Sequence, residues 1–522
     1  MQGAVATPHS LATAAGVEAY RDGGNAIDAA LAAAAMLTVV YPHQCSLGGD
    51  VFALLDNARE PTCSVNGSGA APGSVTAASM RSRCAEIPDS GPDSITVPGA
   101  VAAWGAIHER GAQLPFGRLL MPAARAAAEG VPVTASLERG IRFRSVALRA
   151  DEVMCSTFLP QGEPLKLGAL LRQPELAVTF ERLARDGPAD FYSGRIAREL
   201  VAGLRRLGCP LTLEDLNNHR TEVCKPLGIA YAGGEILTSP PNSPGFALLE
   251  TIAALDAAGI PVDPLGDNAG YLLSALMLAT EDRDRYLGDP RRSPAPLVQL
   301  LSTDRLERRL RERGANRSVD GDSLRKTTGH GDTVAVCAID SRGTAVSLIQ
   351  SVFQTFGSAL MEPGTGVILH NRARGFSLGM GAPNEWAPGG RPAHTLTPLL
   401  IRRAGRIAAA LGTMGGRAQP QILAQLLPGS LDRLRPLGEV VRAPRWVFGA
   451  RDIGFDEATV AIEADAPEHL DGRLSFTGLR CVRIPPLDER VGHAQVVRVA
   501  GDDTLEAASD PRSDGAAQVV SL

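Results

Sequence analysis

Thr333-Val-Ala-Val-Cys-Ala-Ile339, then Asp340-Ser-Arg-Gly343, then Thr344-Ala-Val-Ser-Leu-Ile-Gln-Ser-Val-Phe353, reads as two apolar strands joined by a tight turn. The switch into this hairpin is abrupt. Upstream, from Glu312 to Asp332, the chain is polar and has no clear periodicity. A threonine opening a buried strand behind a flexible linker suits one chemistry. If the Asp332–Thr333 bond is cut, Thr333 becomes N-terminal. Its own α-amine, of ordinary pKa about 8, then serves as base for its hydroxyl. No histidine is needed. On this reading Asp332–Thr333 is a cleavage site and Thr333 a nucleophile. The plain alternative is a loop followed by an ordinary hairpin.

Working outward, the 522 residues are 44% hydrophobic with a net charge of −5. Such a chain can bury a substantial core. Its mild acidity gives no reason to expect nucleic acid or an anionic membrane as partner. Cys45, Cys63, Cys84, Cys155, Cys209, Cys224, Cys337 and Cys481 stand far apart without a Cys-x-x-Cys pair, and read as free, buried thiols. The start, Met1-Gln-Gly-Ala-Val-Ala-Thr-Pro-His9, has neither a basic n-region nor an apolar h-region. No uninterrupted apolar stretch reaches spanning length. The expectation is a soluble, cytoplasmic protein without membrane attachment. Metal-ligand spacings, a phosphate loop and a dinucleotide fingerprint are all missing, so no metal and no cofactor is expected.

Ala26 to Val40 is apolar on nearly every face, which predicts a helix buried between layers. Gly48-Gly49-Asp50 turns into a strand, Val51–Leu55. Residues 100–130 and 175–210 read as amphipathic helices, and 265–315 as helical and increasingly charged. Pro240 to Gly245 is a rigid loop before a helix over 246–258. Leu378 to Gly390 is a Gly/Pro loop, Leu399–Arg402 a strand, and Gln421–Leu427 a helix. Helices alternating with β-rich regions on both sides of Thr333 indicate α/β or α+β.

Several blocks, in order, carry a resemblance. They are Gly23–Ala30; Val97-Pro-Gly99; Phe191-Tyr-Ser-Gly194 with Leu211–Leu216; Tyr286-Leu-Gly-Asp-Pro290; Gly331-Asp-Thr333 with Thr355-Phe-Gly-Ser358; Gly412-Thr-Met-Gly-Gly416; and the ending Ser509–Gly515. With them the chain resembles the γ-glutamyltransferase family of N-terminal-nucleophile hydrolases. The resemblance implies an α+β fold, an αββα four-layer sandwich shared by two autoprocessed fragments, 1–332 and 333–522. These would stay together as a heterodimer, with a dimer of heterodimers as a larger form. It gives Thr333 the nucleophile's role and Ser351 that of a threonine that hydrogen-bonds the nucleophile. Gly415 and Gly416 match the oxyanion-hole pair.

The departures matter as much. Relatives that bind a γ-glutamyl group hold its α-carboxylate with an arginine; the matching segment here, Val65–Pro72, has none. The acidic residue for the α-amino group falls on Gly375, an asparagine on Phe353, and a serine pair on His394 and Thr395. The pattern resembles the branch acting on oxamate. Arg372, Arg374 and Arg417 are candidate carboxylate anchors, with Phe353, His394 and Thr395 beside the substrate. The segment Phe376–Arg391 is short, which implies a reduced lid. The expected activity is hydrolysis of a small carboxylate-bearing amide such as oxamate. A γ-glutamyltransferase or glutathione hydrolase with a rebuilt clamp, and an unprocessed non-catalytic relative, are the alternatives.

Overall fold

A computed structural model describes residues 2–315, 331–475, 478–501 and 503–521. Residues 316–330, most of the polar run read as a linker, lie outside the described residues.

Two antiparallel sheets form the centre. The first has seven strands in the order 516–521, 2–7, 331–340, 345–354, 50–56, 63–67, 222–224. The second has six, in the order 505–509, 494–499, 406–413, 399–403, 234–238, 227–231. In the hairpin, successive side chains serve different layers, as a strand's period of two requires. Val334, Val336 and Ala338 join a core shared with the helices over 10–21, 26–40 and 100–109. Cys337 and Ile339 face the second sheet, against Leu400, Ala410 and Val497. The second sheet's far side is covered by Gly245–Ala257, Ala269–Tyr286 and Gln419–Leu431. The layers are therefore α, β, β, α, and the fold is the expected α+β sandwich.

The helix Ala26–Val40 is buried at all fifteen positions, as its all-round apolarity predicts. Asn25 and Asp28 close its N-terminus as a capping box. The helix at 419–431 is longer than read, because Pro420 at its first turn is compatible with helix.

Three readings are corrected. The strand carrying Thr333 begins at Gly331, not Thr333, because Gly331 and Asp332 pair with Gln354 and Phe353. The eight cysteines are all unbridged, but only Cys45, Cys63, Cys209 and Cys337 are buried; Cys84, Cys155 and Cys481 are half-buried, and Cys224 is exposed on the short edge strand 222–224. Strands at both chain ends escaped notice: Gln2–Thr7 pairs with Ala516–Ser521 and with Gly331–Asp340. The closing motif acts through charge. Arg445, Arg512, Glu463 and Asp510 form a buried, balanced network, with Arg445 to Asp510 at 2.5 Å. No helix among the described residues is long and apolar enough to cross a membrane.

Candidate active site

The alternation that sends Ala335 and Cys337 toward the second sheet carries Thr333 to the same side. Thr333 is buried, 1% exposed. Its hydroxyl donates to Ser351 Oγ at 3.3 Å. Ser351 Oγ also accepts from the Phe353 N–H at 2.7 Å and donates to the Asp332 carbonyl oxygen at 2.5 Å. One serine thus joins the threonine hydroxyl to the carbonyl of the peptide bond preceding it.

This contact depends on a defect in the ladder. The pairing register shifts between Gln350 and Phe353, so Ser351 and Val352 together oppose Thr333. A bulge re-aims side chains at such points. Just beyond it, Phe353 has φ +79°, a strained value for a bulky residue. Two contacts hold it: the Ser351 bond and the Arg372 guanidinium, whose central carbon lies 4.2 Å from the Phe353 ring centre.

Asp50, paired with Ser351 across the neighbouring strands, centres a fully buried polar cluster. Its Oδ2 lies 3.1 Å from His394 Nε2, 3.3 Å from His370 Nδ1 and 3.4 Å from Arg372 Nε. Burial alone would raise the carboxyl's pKa. His370 and His394 more than offset it and hold the group well below the usual carboxylate range. Burial, aided by Arg372, lowers His394 to about 3, so its ring is neutral. With Nδ1 accepting from the Leu396 N–H, its proton sits on Nε2 and points at Asp50. Arg372 is lowered by burial to about 10 and remains cationic, so Asp50 and Arg372 cancel.

Two clefts lie near this corner: Asp332 lines the first and Phe353 the second, and Thr333 itself lines neither. The first, about 730 Å³, is lined by Asp332, Thr355 and Gly415, with His43, Gln44 and Asp514 deeper in. The second, about 910 Å³, is lined by Phe353, Gly375, His394, Thr395, Arg374 and Arg417, with Arg283 and Asp284 also in its wall. In the second, Arg283 and Arg417 share one carboxylate, Asp284, at 3.0 and 2.5 Å. Arg417 Nε is buried without a hydrogen-bond partner. Two guanidinia on one carboxylate leave a local excess of positive charge.

The expected site residues fall into three groups. Thr333, Ser351 and Asp332 touch one another. Gly415 and Gly416 form a turn, with φ +141° and +52°, packed against the strand Gly331–Asp340. Phe353, His394, Thr395 and Arg417 come together at the second cleft, where the segment after Phe376 forms one wall. Arg372 does not join them. It lies behind Phe353, fully buried and turned to Asp50 and Thr395, and lines neither cleft. Arg374 lines the second cleft but is paired with Asp89 at 2.9 Å. Sequence reasoning missed Asp50 and Arg283. The signal for Asp50 was a carboxylate opening an otherwise apolar strand, Asp50–Asp56.

Asp332 has an unusual carboxyl. It accepts from the Thr355 hydroxyl, and burial raises its pKa to about 7 against that bond's lowering effect. Between about pH 4 and about pH 7 the folded uncut chain then holds more protons here than the unfolded chain. Folding stability should fall as pH rises through that window and level off above it. The uncleaved Thr333→Ala protein should lose Tm between pH 5 and 8, and adding Asp332→Asn should flatten the slope. An unchanged slope would mean that Asp332 titrates normally.

The family model described as gamma-glutamyltranspeptidase matches residues 12–520. The chain is 34% identical to the oxamate amidohydrolase proenzyme of Klebsiella pneumoniae, over 99% of this chain and 98% of that protein. It is 34% identical to the glutathione hydrolase-like YwrD proenzyme of Bacillus subtilis, over 98% and 97%. The solved cephalosporin acylase from Bacillus halodurans superposes with a TM-score of 0.89 at 30% identity, covering 99% of this chain and 95% of that one.

Proposed function

The chain belongs to the gamma-glutamyltranspeptidase family, and we propose that it is an autoprocessing amide hydrolase that forms an acyl-enzyme on Thr333 and prefers acyl groups bearing a carboxylate. The Ser351 bridge carries the first half of this reading. In the uncut chain Thr333 Oγ attacks the Asp332 carbonyl carbon, and the Ser351 hydroxyl donates to the oxygen that gains charge. The C–N bond breaks, the proton lost by the Thr333 hydroxyl ends on the nitrogen, which becomes the free α-amine of Thr333, and water hydrolyses the resulting ester. The fragments 1–332 and 333–522 would remain associated, since the first sheet alternates strands from both: 516–521, 2–7, then 331–340. In turnover the α-amine takes the hydroxyl's proton and passes it to the leaving amine, while the Gly415–Gly416 turn supplies backbone N–H groups to the oxyanion.

The second half rests on what the second cleft holds. A Cβ on Gly375 would come within 2.4 Å of the Ala393 carbonyl oxygen, so no acidic side chain fits there without moving the backbone. Phe353 and the neutral His394 supply no counter-charge to an ammonium. Among the cleft's carboxylates, Asp284 is already shared by two arginines and Glu86 is exposed, so a γ-glutamyl α-amino group would find no buried, unshared counter-charge there. The excess charge at Arg283 and Arg417 favours an anionic acyl group instead. Oxamate, substrate class of one named relative, is the shortest such amide.

The test is kcat/KM on processed protein for the homologous amides oxamate, malonamate, succinamate and glutaramate beside glutathione. At least one of the series should exceed glutathione. Arg417→Ala should raise KM for that substrate about tenfold or more, the value of a charge-assisted hydrogen bond. Gly375→Asp should not create glutathione hydrolysis. A clear preference for glutathione would overturn the specificity reading and restore the γ-glutamyl alternative.

A further inference from the structure

The two clefts differ in charge. In the first, every cationic side chain is already engaged. Arg139 pairs with Glu489 at 2.9 Å, Arg490 with Asp488 at 2.6 Å, and buried Arg512 with Glu463 and Asp510. Asp452 and Asp514 also line this cleft; neither forms an ion pair among the described residues, and Arg283 and Arg139 act on them only at longer range. Asp514 Oδ2 accepts only from the Tyr41 hydroxyl at 2.8 Å and the Ser136 N–H at 3.3 Å. Asp452 accepts from the Ala450 N–H.

Two further acceptors wait in the same wall. Gln44 is 1% exposed and His43 2% exposed. Gln44 Oε1 and His43 Nδ1 are buried and have no hydrogen-bond partner. Burial, with His493 and Arg139 nearby, keeps His43 neutral. The tautomer that donates from Nε2 to Ser136 Oγ at 3.1 Å leaves Nδ1 as a bare acceptor. An unpaired buried acceptor is costly, and a ligand that brings donors removes that cost. Unpaired carboxylates and unpaired neutral acceptors together call for a cation rich in N–H groups.

Position gives this cation a place in the reaction. The α-nitrogen of Thr333 lies on the side of Asp332, and Asp332 lines the first cleft. That nitrogen delivers the proton to the departing amine and takes it from an attacking one. The acyl group has the second cleft, where Phe353, His394 and Arg417 converge.

We propose that the first cleft is the amine-side subsite of this enzyme and selects amines carrying a second, positively charged nitrogen, as leaving group or as acceptor. The inference rests on Thr333 being the nucleophile. In transfer, the neutral nitrogen of the diamine attacks the Thr333 ester, and the C–O bond to Thr333 breaks. The proton lost by the nitrogen passes through the α-amine to Thr333 Oγ, and an N-(aminoalkyl) amide leaves. The distal ammonium stays on Asp452, Asp514 and Gln44.

The experiment compares 1,4-diaminobutane with n-butylamine, of equal reach but without the second charge. Processed protein is given oxamate, or the best amide of the series, with each amine at equal free-base concentration, and the transfer product is quantified by mass spectrometry. The diamine should give about tenfold or more product. Asp452→Asn and, separately, Asp514→Asn should each lower that ratio severalfold with hydrolysis of the donor retained. Two variants are used because Asp514 also holds Tyr41. Calorimetric titration of 1,4-diaminobutane needs no donor, and should show binding that weakens in either variant and with added salt. Equal use of both amines, or no calorimetric binding of the diamine, would overturn the proposal. Failure of the nucleophile reading looks different: no cleavage at Thr333 and no turnover of any donor.

Discussion

Thr333→Ala should leave a single full-length chain, where the wild type resolves into 1–332 and 333–522 with Thr-Val-Ala-Val at the new N-terminus. Its turnover should fall to background, since removing a nucleophile costs about 10⁴–10⁶-fold in kcat. On the proposed mechanism the effect is large because one hydroxyl is used twice, first against its own chain and then against substrate. Thr333→Ser, which keeps the hydroxyl, should still cleave. The Thr333 hydroxyl makes a single 3.3 Å bond to Ser351, so its loss should barely change Tm and the silence will not be misfolding. Two bands from Thr333→Ala on a denaturing gel would remove Thr333 from both roles.

Much of this was legible in the chain, and the limits have physical causes. The hairpin's apolar runs and the all-round apolarity of Ala26–Val40 forced buried elements, because nothing else accommodates such surfaces. Layer order could not be read that way: both faces of the nucleophile strand are buried, so its pattern does not say which face meets helices. The terminal strands were missed because their pairing partners lie hundreds of residues away. At the site, the resemblance singled out Thr333, Ser351 and the glycine turn, each on a recognisable block, and the structure brings Thr333 and Ser351 into contact. The resemblance could not rank the arginines. Arg372 and Arg417 look alike as residues, yet the first is neutralised by Asp50 behind Phe353 and the second shares Asp284 at a cleft wall. Whether an arginine is free depends on its carboxylate, and those carboxylates come from residues 50 and 284.

On the proposed mechanism, the same distribution of charge lets one nucleophile serve a different substrate. The bond-making centre is uncharged until Thr333 is freed: two hydroxyls, a carbonyl and backbone N–H groups. Such a centre constrains the acyl group little. Specificity then lies in the walls, where a balanced Asp50–Arg372 pair stands under the strained Phe353 and an unbalanced Arg283–Asp284–Arg417 set stands beyond it. Substitutions in the walls should move KM and leave the processing reaction intact, because processing needs no cleft-bound acyl group.

Gly415→Ala is the complementary case and should lower kcat about 10²–10³-fold, equivalent to about 2.7–4 kcal/mol of lost oxyanion stabilisation. Gly415 has φ +141°, outside even the left-handed basin that some side chains tolerate. Its Cβ would also stand 2.5 Å from Ile422 Cδ1. The side-chain tip can retreat; the backbone cannot, so the turn must rotate and its N–H groups leave their aim. Gly416→Ala should cost less, because φ +52° is strained for alanine but accessible. Cleavage at Thr333 should suffer less than turnover in both variants. In the uncut chain the scissile carbonyl oxygen already accepts from Ser351, a donor the turn does not control. Measured kcat on fully processed variants, beside the rate of fragment appearance, separates these effects. Full kcat in Gly415→Ala would place the oxyanion donors elsewhere, and equal loss of cleavage and turnover would mean the turn serves both carbonyls.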